Sequence, residues 1–366
     1  MNQDNTSAAA LRAAAESYPD PYLGQTLGSA KAISDVTVGE REVRLRITLG
    51  FPCADYAEEL SQGLGAHLGG QLGSRKLSLE LSSKIIPHAV QRTLKPLENV
   101  KNVVAVASGK GGVGKSTTAA NLALAWAMQG ARVGLLDADI YGPSQPTIMG
   151  LEGQRPTSPD GKHLVPLIAH GVAVMSIGFL IDAEQPMVWR GPMVTQALTQ
   201  LLGDSTWGEL DYLVVDMPPG TGDIALTLSQ RVPVSGAVIV TTPQDIALLD
   251  ARKALKMFEK VEVRVLGVVE NMSLHVCSQC GHVEHIFGAG GGGAMARQYG
   301  VPLLGELPLD LRIREQADGG TPTVAAEPHS ARGIAYRRMA RMASARLATH
   351  NRDYSRLFPK ISVEPT

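Results

Sequence analysis

Aromatic side chains make up only 4% of the 366 residues, too few for the stacking platforms that hold single-stranded nucleic acid. Charge of one sign is missing as well. The 34 Lys and Arg against 35 Asp and Glu leave a net charge of -1, so no overall basic character points to nucleic acid or an anionic membrane as a partner. No stretch approaches the roughly 18 consecutive apolar residues of a membrane helix. The N-terminal MNQDNTSAAALRAAAESYP carries Asp4 and no basic cluster ahead of an apolar core, which argues against a signal peptide. The expected compartment is the cytoplasm, where the three cysteines are thiols or metal ligands rather than a disulfide framework. What is abundant is glycine, 39 residues, together with alanine-rich stretches. That composition fits an α/β chain with many tight strand-to-helix turns, and the length suggests two domains.

The stretch that organises the chain is Val103 to Thr117, VVAVASGKGGVGKST. Its apolar, mostly β-branched opening reads as a strand buried on both faces. Gly109, Gly111, Gly112 and Gly114 free the following loop to bring its N–H groups onto phosphate oxygens. Gly109 to Ser116 satisfies G-x-x-x-x-G-K-[ST] in full. Lys115 then supplies a charge for the β- and γ-phosphates, and Ser116 a hydroxyl for Mg²⁺, at the positive end of a helix that begins there. That helix carries Ala119, Leu122, Ala123, Trp126 and Ala127 at three- and four-residue steps and stops at Gly130. The expected nucleotide cradle is Gly109, Lys110, Gly111, Gly112, Val113, Gly114, Lys115, Ser116 and Thr117. Lys110 is a second lysine in the loop, either a solvated charge or a cation that reaches phosphates bound by a second subunit. GKGGVGKST resembles the deviant phosphate loop of MinD and ParA-type ATPases and the nitrogenase iron protein. The resemblance implies that Lys110 crosses the interface of an ATP-dependent dimer.

Upstream, an Ala-rich helix (Ala8 to Ser17) precedes strands at Ile33 to Val38 and Glu42 to Leu49, a helix at Tyr56 to Leu68 and a strand at Leu77 to Leu81. This is a small α+β domain over residues 1–86, followed by a connecting segment at 87–101 containing Pro87 and Pro96. DPYLGQTL, PCADYAEEL and SLELSSKI resemble the small domain of iron–sulfur assembly factors. Cys53, in its FPC turn, is a half-buried structural thiol or a residue that handles clusters or targets.

Residues 102–366 read as a doubly wound, mainly parallel α/β phosphate-loop domain. Arg132 to Leu136 is a strand ending in DADIYGPS, where Asp139 is placed to orient the attacking water or hold the metal's hydration shell, with turn capping as its other role. His163 to Gly178 reads as one further strand and WRGPMVTQALTQLL as a helix. Asp211 to Val215 ends in Asp216, a carboxylate suited to Mg²⁺ through water, before the hinge-like PPGTGD. Gly236 to Thr241, a helix at Gln244 to Val261 burying Leu248, Leu249, Ala254, Leu255 and Phe258, and the strand VLGVVENM follow. By resemblance to phosphate-loop relatives, Asn271 contacts the adenine edge. The last helix, Ala331 to Thr349, carries Arg332, Arg337, Arg338, Arg341 and Arg346; a basic helix can mark a membrane surface, but the other side offers mainly Ala and Met, so it reads as a solvated face on a helix packed on the domain.

Between Asn271 and the run Gly288 to Gly293 lies LHVCSQCGHVEHIFG. Cys277 and Cys280 have the spacing at which two thiolates face one metal or one edge of a cluster. Three readings stand: a local zinc site completed by His282 or His285, a redox disulfide, or half of a [4Fe–4S] site shared by two chains. GKGGVGKST, LLDADIYGPS, MVWRGPM, VVDMPPGTGD, TTPQDIALLDARKALKMF, GVVENMS, CSQCG and EHIFG, in this order, resemble Mrp/ApbC-type iron–sulfur cluster carrier ATPases. The resemblance implies a homodimer that binds ATP, Mg²⁺ and a [4Fe–4S] cluster and delivers the cluster to apo-proteins. It implies Lys110, Lys115, Asp139 and Asp216 as the catalytic set. Functions of other classes would be a positioning ATPase on membrane or DNA, which needs no cysteines, and a zinc-stabilised adaptor ATPase.

Overall fold

The computed structural model describes residues 8–180 and 191–350. Of MVWRGPM, the first four residues lie outside this range. The first unit opens with α1 (Ala8–Glu16) and a short ladder of β1 (Pro19–Asp20) with β2 (Gln25–Thr26). A three-stranded sheet follows, in which β3 (Ile33–Val38) pairs antiparallel with β4 (Glu42–Leu49). After α2 (Ala57–Leu68), β5 (Lys76–Ser83) joins β4 in parallel. The alternation in β4 is realised: Val43, Leu45, Ile47 and Leu49 are buried, while Arg44 and Arg46 face water. Leu60, Leu64 and Leu68 close the core from α2 at helical spacing.

The second unit runs β6 (Val100–Ser108), α3 (Lys115–Met128), β7 (Val133–Asp137), α4 (Gln145–Ile148), β8 (Leu167–Ala169) and β9 (Val172–Ser176). It continues with α5 (Gly191–Asp204), β10 (Leu210–Asp216), α6 (Asp223–Arg231), β11 (Gly236–Thr241), α7 (Asp245–Lys260) and β12 (Val265–Glu270). The described residues continue with β13 (His275–Val276), β14 (Val283–Glu284), α8 (Gly291–Tyr299), β15 (Leu303–Glu306), α9 (Leu311–Asp318), α10 (Thr323–Ala326) and α11 (Ala331–Ala348). Eight strands form one sheet in the order β15-β12-β11-β6-β10-β7-β9-β8. All its ladders are parallel except β8 against β9. The region read as one strand at His163 to Gly178 is therefore a hairpin, because Gly171 at φ 79 turns the chain back on itself. The phosphate-loop strand β6 lies at the sheet's centre, flanked by strands that come later in the chain. It thus carries its loop to the switch point where α/β sheets bind ligands.

Helix α3 is buried almost all round, which its alanines permit by letting neighbours approach closely. Trp126 stacks on Tyr212 with ring centroids 4.4 Å apart and donates its Nε1–H to the Ala340 carbonyl of α11. On α7 the buried side holds Leu248, Ala254, Leu255 and Phe258, whereas Leu249 is 54% exposed. One residue's step of about 100° carries it off the apolar stripe.

The segment between the units is fastened to the second. Gln91 donates to the Ser229 and Val232 carbonyls at 2.8 and 3.2 Å and accepts from the Val234 N–H at 2.9 Å. Val100 and Lys101, at the end of the segment read as a connection, already belong to β6.

The arginines of α11 depart most from expectation. Arg341 is 3% exposed and donates to Asp55 at 2.8 Å, to Glu59 at 3.0 Å and to the Tyr22 hydroxyl at 2.9 Å. Its guanidinium also lies over the Tyr22 and Tyr56 rings. Arg337 binds Asp55 too, and Arg332 binds Asp310 and Glu327. Ala345 of the same helix enters the first unit's core. Arg337 and Arg341 anchor the two units, because acids 282 and 286 residues earlier are brought against them, whereas Arg338 is exposed to solvent.

Candidate functional site

The phosphate loop leaves β6 at Ser108 and enters α3 at Lys115. Gly112 and Gly114 have φ of 78° and 81°, the left-handed region the motif demands. Gly109 is required for another reason: a Cβ there would lie 2.1 Å from the Asp250 carbonyl carbon, so α7 could not pack on the loop. The loop encloses a cleft of about 270 Å³ lined by Lys110, Gly112, Lys115, Ser116, Thr117 and Asp139, among others. Larger clefts of about 350 and 400 Å³ lie elsewhere and contain none of the candidate residues. We assign the function to the smaller one on its chemistry.

Below the loop is a buried polar network. Lys115 Nζ pairs with Asp216 Oδ1 and donates to Ser116 Oγ at 3.1 Å. Asp216 sits at the end of β10, beside Asp137 at the end of β7, in direct register. Asp137 accepts from the Asp139 N–H at 3.1 Å, the Gln145 N–H at 3.0 Å and the Ser176 hydroxyl at 3.1 Å. Burial, and then the neighbouring Asp216 carboxylate, push the Asp137 carboxyl well above the usual range. Asp139 is raised by burial against the opposing pull of Lys115, and the Tyr141 and Gly142 N–H groups support its charged form. It therefore both caps its turn and lines the cleft. Gly220 of PPGTGD, at φ 87, folds its N–H onto the Ser108 carbonyl at 3.0 Å.

Sequence reasoning missed Gln145. Its Nε2 donates to Asp216 Oδ2 at 2.9 Å and to the Ser116 carbonyl at 3.0 Å, tying the acid to the loop. Beside Pro146 it reads as an ordinary turn residue, and only its complete burial reveals the role. Lys110 stands at the cleft and makes no ion pair among the described residues. Asn271 is buried and donates its Nδ2–H to the Val113 carbonyl at 2.9 Å, so its amide braces the phosphate loop.

Cys277 and Cys280 occupy the turn between β13 and β14. The Cys277 N–H donates to the His282 carbonyl at 2.9 Å, and the Gly281 N–H to the Cys277 carbonyl at 2.9 Å. Cys280 is exposed and Cys277 half-buried, with Val276, Val283 and Ile286 left open to solvent around them. The N–H groups of Cys280 and Gln279 hold the Cys277 thiol below its ordinary pKa. His285 is turned away, its Nδ1 on the Ser273 carbonyl at 2.7 Å. Among the described residues no three His, Cys, Asp or Glu side chains are grouped for a metal, so the local zinc site with His282 or His285 is not assembled.

Cys53 is fully buried rather than half-buried, its Sγ 3.0 Å from Ser83 Oγ, and burial pushes its pKa up. Iodoacetamide at neutral pH should modify Cys277 and Cys280 and leave Cys53 intact until the chain is unfolded. Mass spectrometry of tryptic peptides reads this directly, and early Cys53 labelling would contradict the burial.

Among the described residues no helix is long and apolar enough to cross a membrane. Residues 99–343 match the family model for NUBPL iron-transfer P-loop NTPases, and residues 8–76 that for iron–sulfur cluster assembly proteins. An iron–sulfur cluster carrier protein of Escherichia coli K12 is 51% identical over 330 residues, covering 90% of this chain and 89% of that one. One from Pseudomonas fragi is 62% identical over 269 residues, covering 73% and 94%. A solved nucleotide-binding protein of Archaeoglobus fulgidus, in complex with ADP, matches with a TM-score of 0.57 at 39% identity, covering 64% of this chain and 91% of that one. With the phosphate-loop site assembled as its motif requires, and with these matches over most of its length, the chain belongs to the family of NUBPL iron-transfer P-loop NTPases.

Proposed function

We propose that the protein is an ATP-dependent carrier, working in the cytoplasm, that holds a [4Fe–4S] cluster as cargo between two copies of itself and hands it to apo-proteins. The observation that carries this reading is the hairpin: two accessible thiols with no further ligand grouped beside them among the described residues. A cube held by four thiolates then needs a second hairpin, most simply from a symmetric partner. The relatives named as cluster carriers support the cargo, and the ADP-bound relative supports the nucleotide.

The main-chain N–H groups of Gly111 to Thr117 would cradle the phosphates. On binding, Lys115 would leave Asp216 for the β- and γ-phosphates. The site also suits Mg²⁺: it holds hard oxygen donors, and two neighbouring buried carboxylates share the single cation Lys115, with Asp137 raised first by burial and then by the Asp216 charge. Ser116 would hold the ion directly and Asp216 through water, and the bound ion neutralises charge on the phosphate oxygens. Asp139 would orient the attacking water, and Lys110 would reach the partner's γ-phosphate. Asn271, its Nδ2 engaged with the loop, would offer its oxygen to the adenine amino group.

Anaerobic reconstitution with iron and sulfide tests the reading. A brown dimer with about four irons, colourless when Cys277 and Cys280 are both alanine, is the expected result. A colourless zinc protein, or the same spectrum from the double variant, would overturn it.

A further inference from the structure

The glycine run Gly288 to Gly293 has no part in the nucleotide cleft, nor does it hold the thiols. Its partner is Glu270, the wholly buried last residue of β12. Oε1 accepts from the Gly290 N–H at 3.2 Å, and Oε2 accepts from the Gly292 N–H. A carboxylate thus caps the N-terminus of α8, where the helix dipole favours it. The glycines make the approach possible. A Cβ on Gly292 would lie 2.9 Å from Glu270 Oε2, and one on Gly291 2.5 Å from Leu248 Cδ1.

Asn271, the next residue, reaches in the other direction, to the Val113 carbonyl. It lies so close to the loop that a Cβ on Gly114 would meet its Nδ2 at 2.2 Å. The peptide unit joining Val113 to Gly114 is planar and trans, so fixing its carbonyl fixes the direction of the Gly114 N–H at the opposite end. Gly114 lines the cleft. The backbone between the two side chains is itself held, with the Asn271 N–H on the Thr241 carbonyl at 2.7 Å and the Leu307 N–H on the Glu270 carbonyl at 2.9 Å. The cysteine hairpin departs from this point at Ser273 and returns to it at Gly290. One end of β12 therefore holds the phosphate loop by one side chain and the returning leg of the hairpin by its neighbour.

We infer that Glu270 and Asn271 are paired positioning residues that carry the state of the phosphate loop to the cysteine hairpin; the inference rests on reading that hairpin as the cargo site. Coupling of this kind needs an element with two arrangements. Lys115 supplies it, on Asp216 in the free protein and on phosphate in the bound one. Phosphate drawing on the Gly114 N–H moves the peptide that Asn271 grips, and Glu270 passes the displacement to Gly290 and Gly292.

The test uses iron-free, full-length protein and the alkylation rates of Cys277 and Cys280, followed by mass spectrometry without nucleotide, with Mg-ADP and with Mg-ATP. Nucleotide should change the Cys277 rate by about fivefold or more. Glu270→Gln should keep nucleotide affinity and lose that response, while Asn271→Ala should weaken both. A wild-type rate indifferent to nucleotide, or a full response in folded Glu270→Gln, would overturn the inference. Should Glu270→Gln fail to fold, hydrogen exchange at Gly290 to Gly292 in the wild type decides: exchange altered by nucleotide supports the coupling, and identical exchange overturns it. Because no iron is present, a failure here is distinct from a failure of the carrier reading, which shows as a colourless protein on reconstitution.

Discussion

Replacing Lys110 by alanine should lower ATP turnover on the order of 10³-fold or more while leaving ADP binding nearly intact. The expectation follows from a division of labour in the loop. In the proposed mechanism ground-state phosphate binding would fall to the main-chain N–H groups and to Lys115, which pairs with Asp216 beneath the loop. Lys110 makes no ion pair among the described residues and lines the cleft. A cation that arrives from a partner subunit acts chiefly on charge that develops in the transition state. Mixing makes the test decisive. In a heterodimer of Lys110→Ala with Asp216→Asn, one composite site has every group, so an equimolar mixture of the two weak variants should recover about a quarter of wild-type turnover by random pairing in a symmetric dimer. A lysine acting within its own subunit gives no recovery. An unchanged rate in Lys110→Ala would remove the role altogether.

Arg341→Met should loosen the first unit from the second, at a cost of about 1.5–3 kcal/mol, because it leaves Asp55 with Arg337 alone and removes the hydrogen bonds of a buried guanidinium to Asp55, Glu59 and Tyr22. The expected signs are an added low-temperature transition in calorimetry and early protease cleavage between the units. An unchanged melting profile and digestion pattern would show that the shared apolar contact around Ala345 suffices by itself. The pH dependence has a definite sign. Burial pushes the Asp55 carboxyl up, but Arg341 and Arg337 together outweigh that and hold it below the usual carboxylate range. Its contribution is therefore complete above the unfolded value of about 3.9 and is lost as pH falls through the depressed folded value. The stability gap between wild type and Arg341→Met should close on acidification, and a gap constant down to pH 2 or so would contradict the assignment.

How much could be read beforehand differs between the two candidate centres. At the phosphate loop the backbone conformation was legible, since the motif is contiguous: Gly112 and Gly114 show the positive φ that the pattern requires. Gly109 was assigned to the loop correctly but for an incomplete reason, because the Asp250 backbone that forbids a side chain there lies 141 residues away. At the hairpin the Cys277 and Cys280 spacing was plain, but that His285 turns onto the Ser273 carbonyl is not contained in spacing. Arg341 shows the same limit at larger scale. Arginines at helical spacing read as a wet face unless the acids that bury them are known.

By itself the sequence determined the elements whose causes are local: the alternation of β4, the apolar run of β6, the start of α3 and the paired cysteines. Tertiary structure alone decided which distant groups share one buried space. It set Gln145 under Asp216, Arg341 against Asp55, and Glu270 on the glycines of α8. A buried polar group must find its partner in three dimensions or be destabilised, and nothing in a residue's immediate neighbours says from how far along the chain that partner will come.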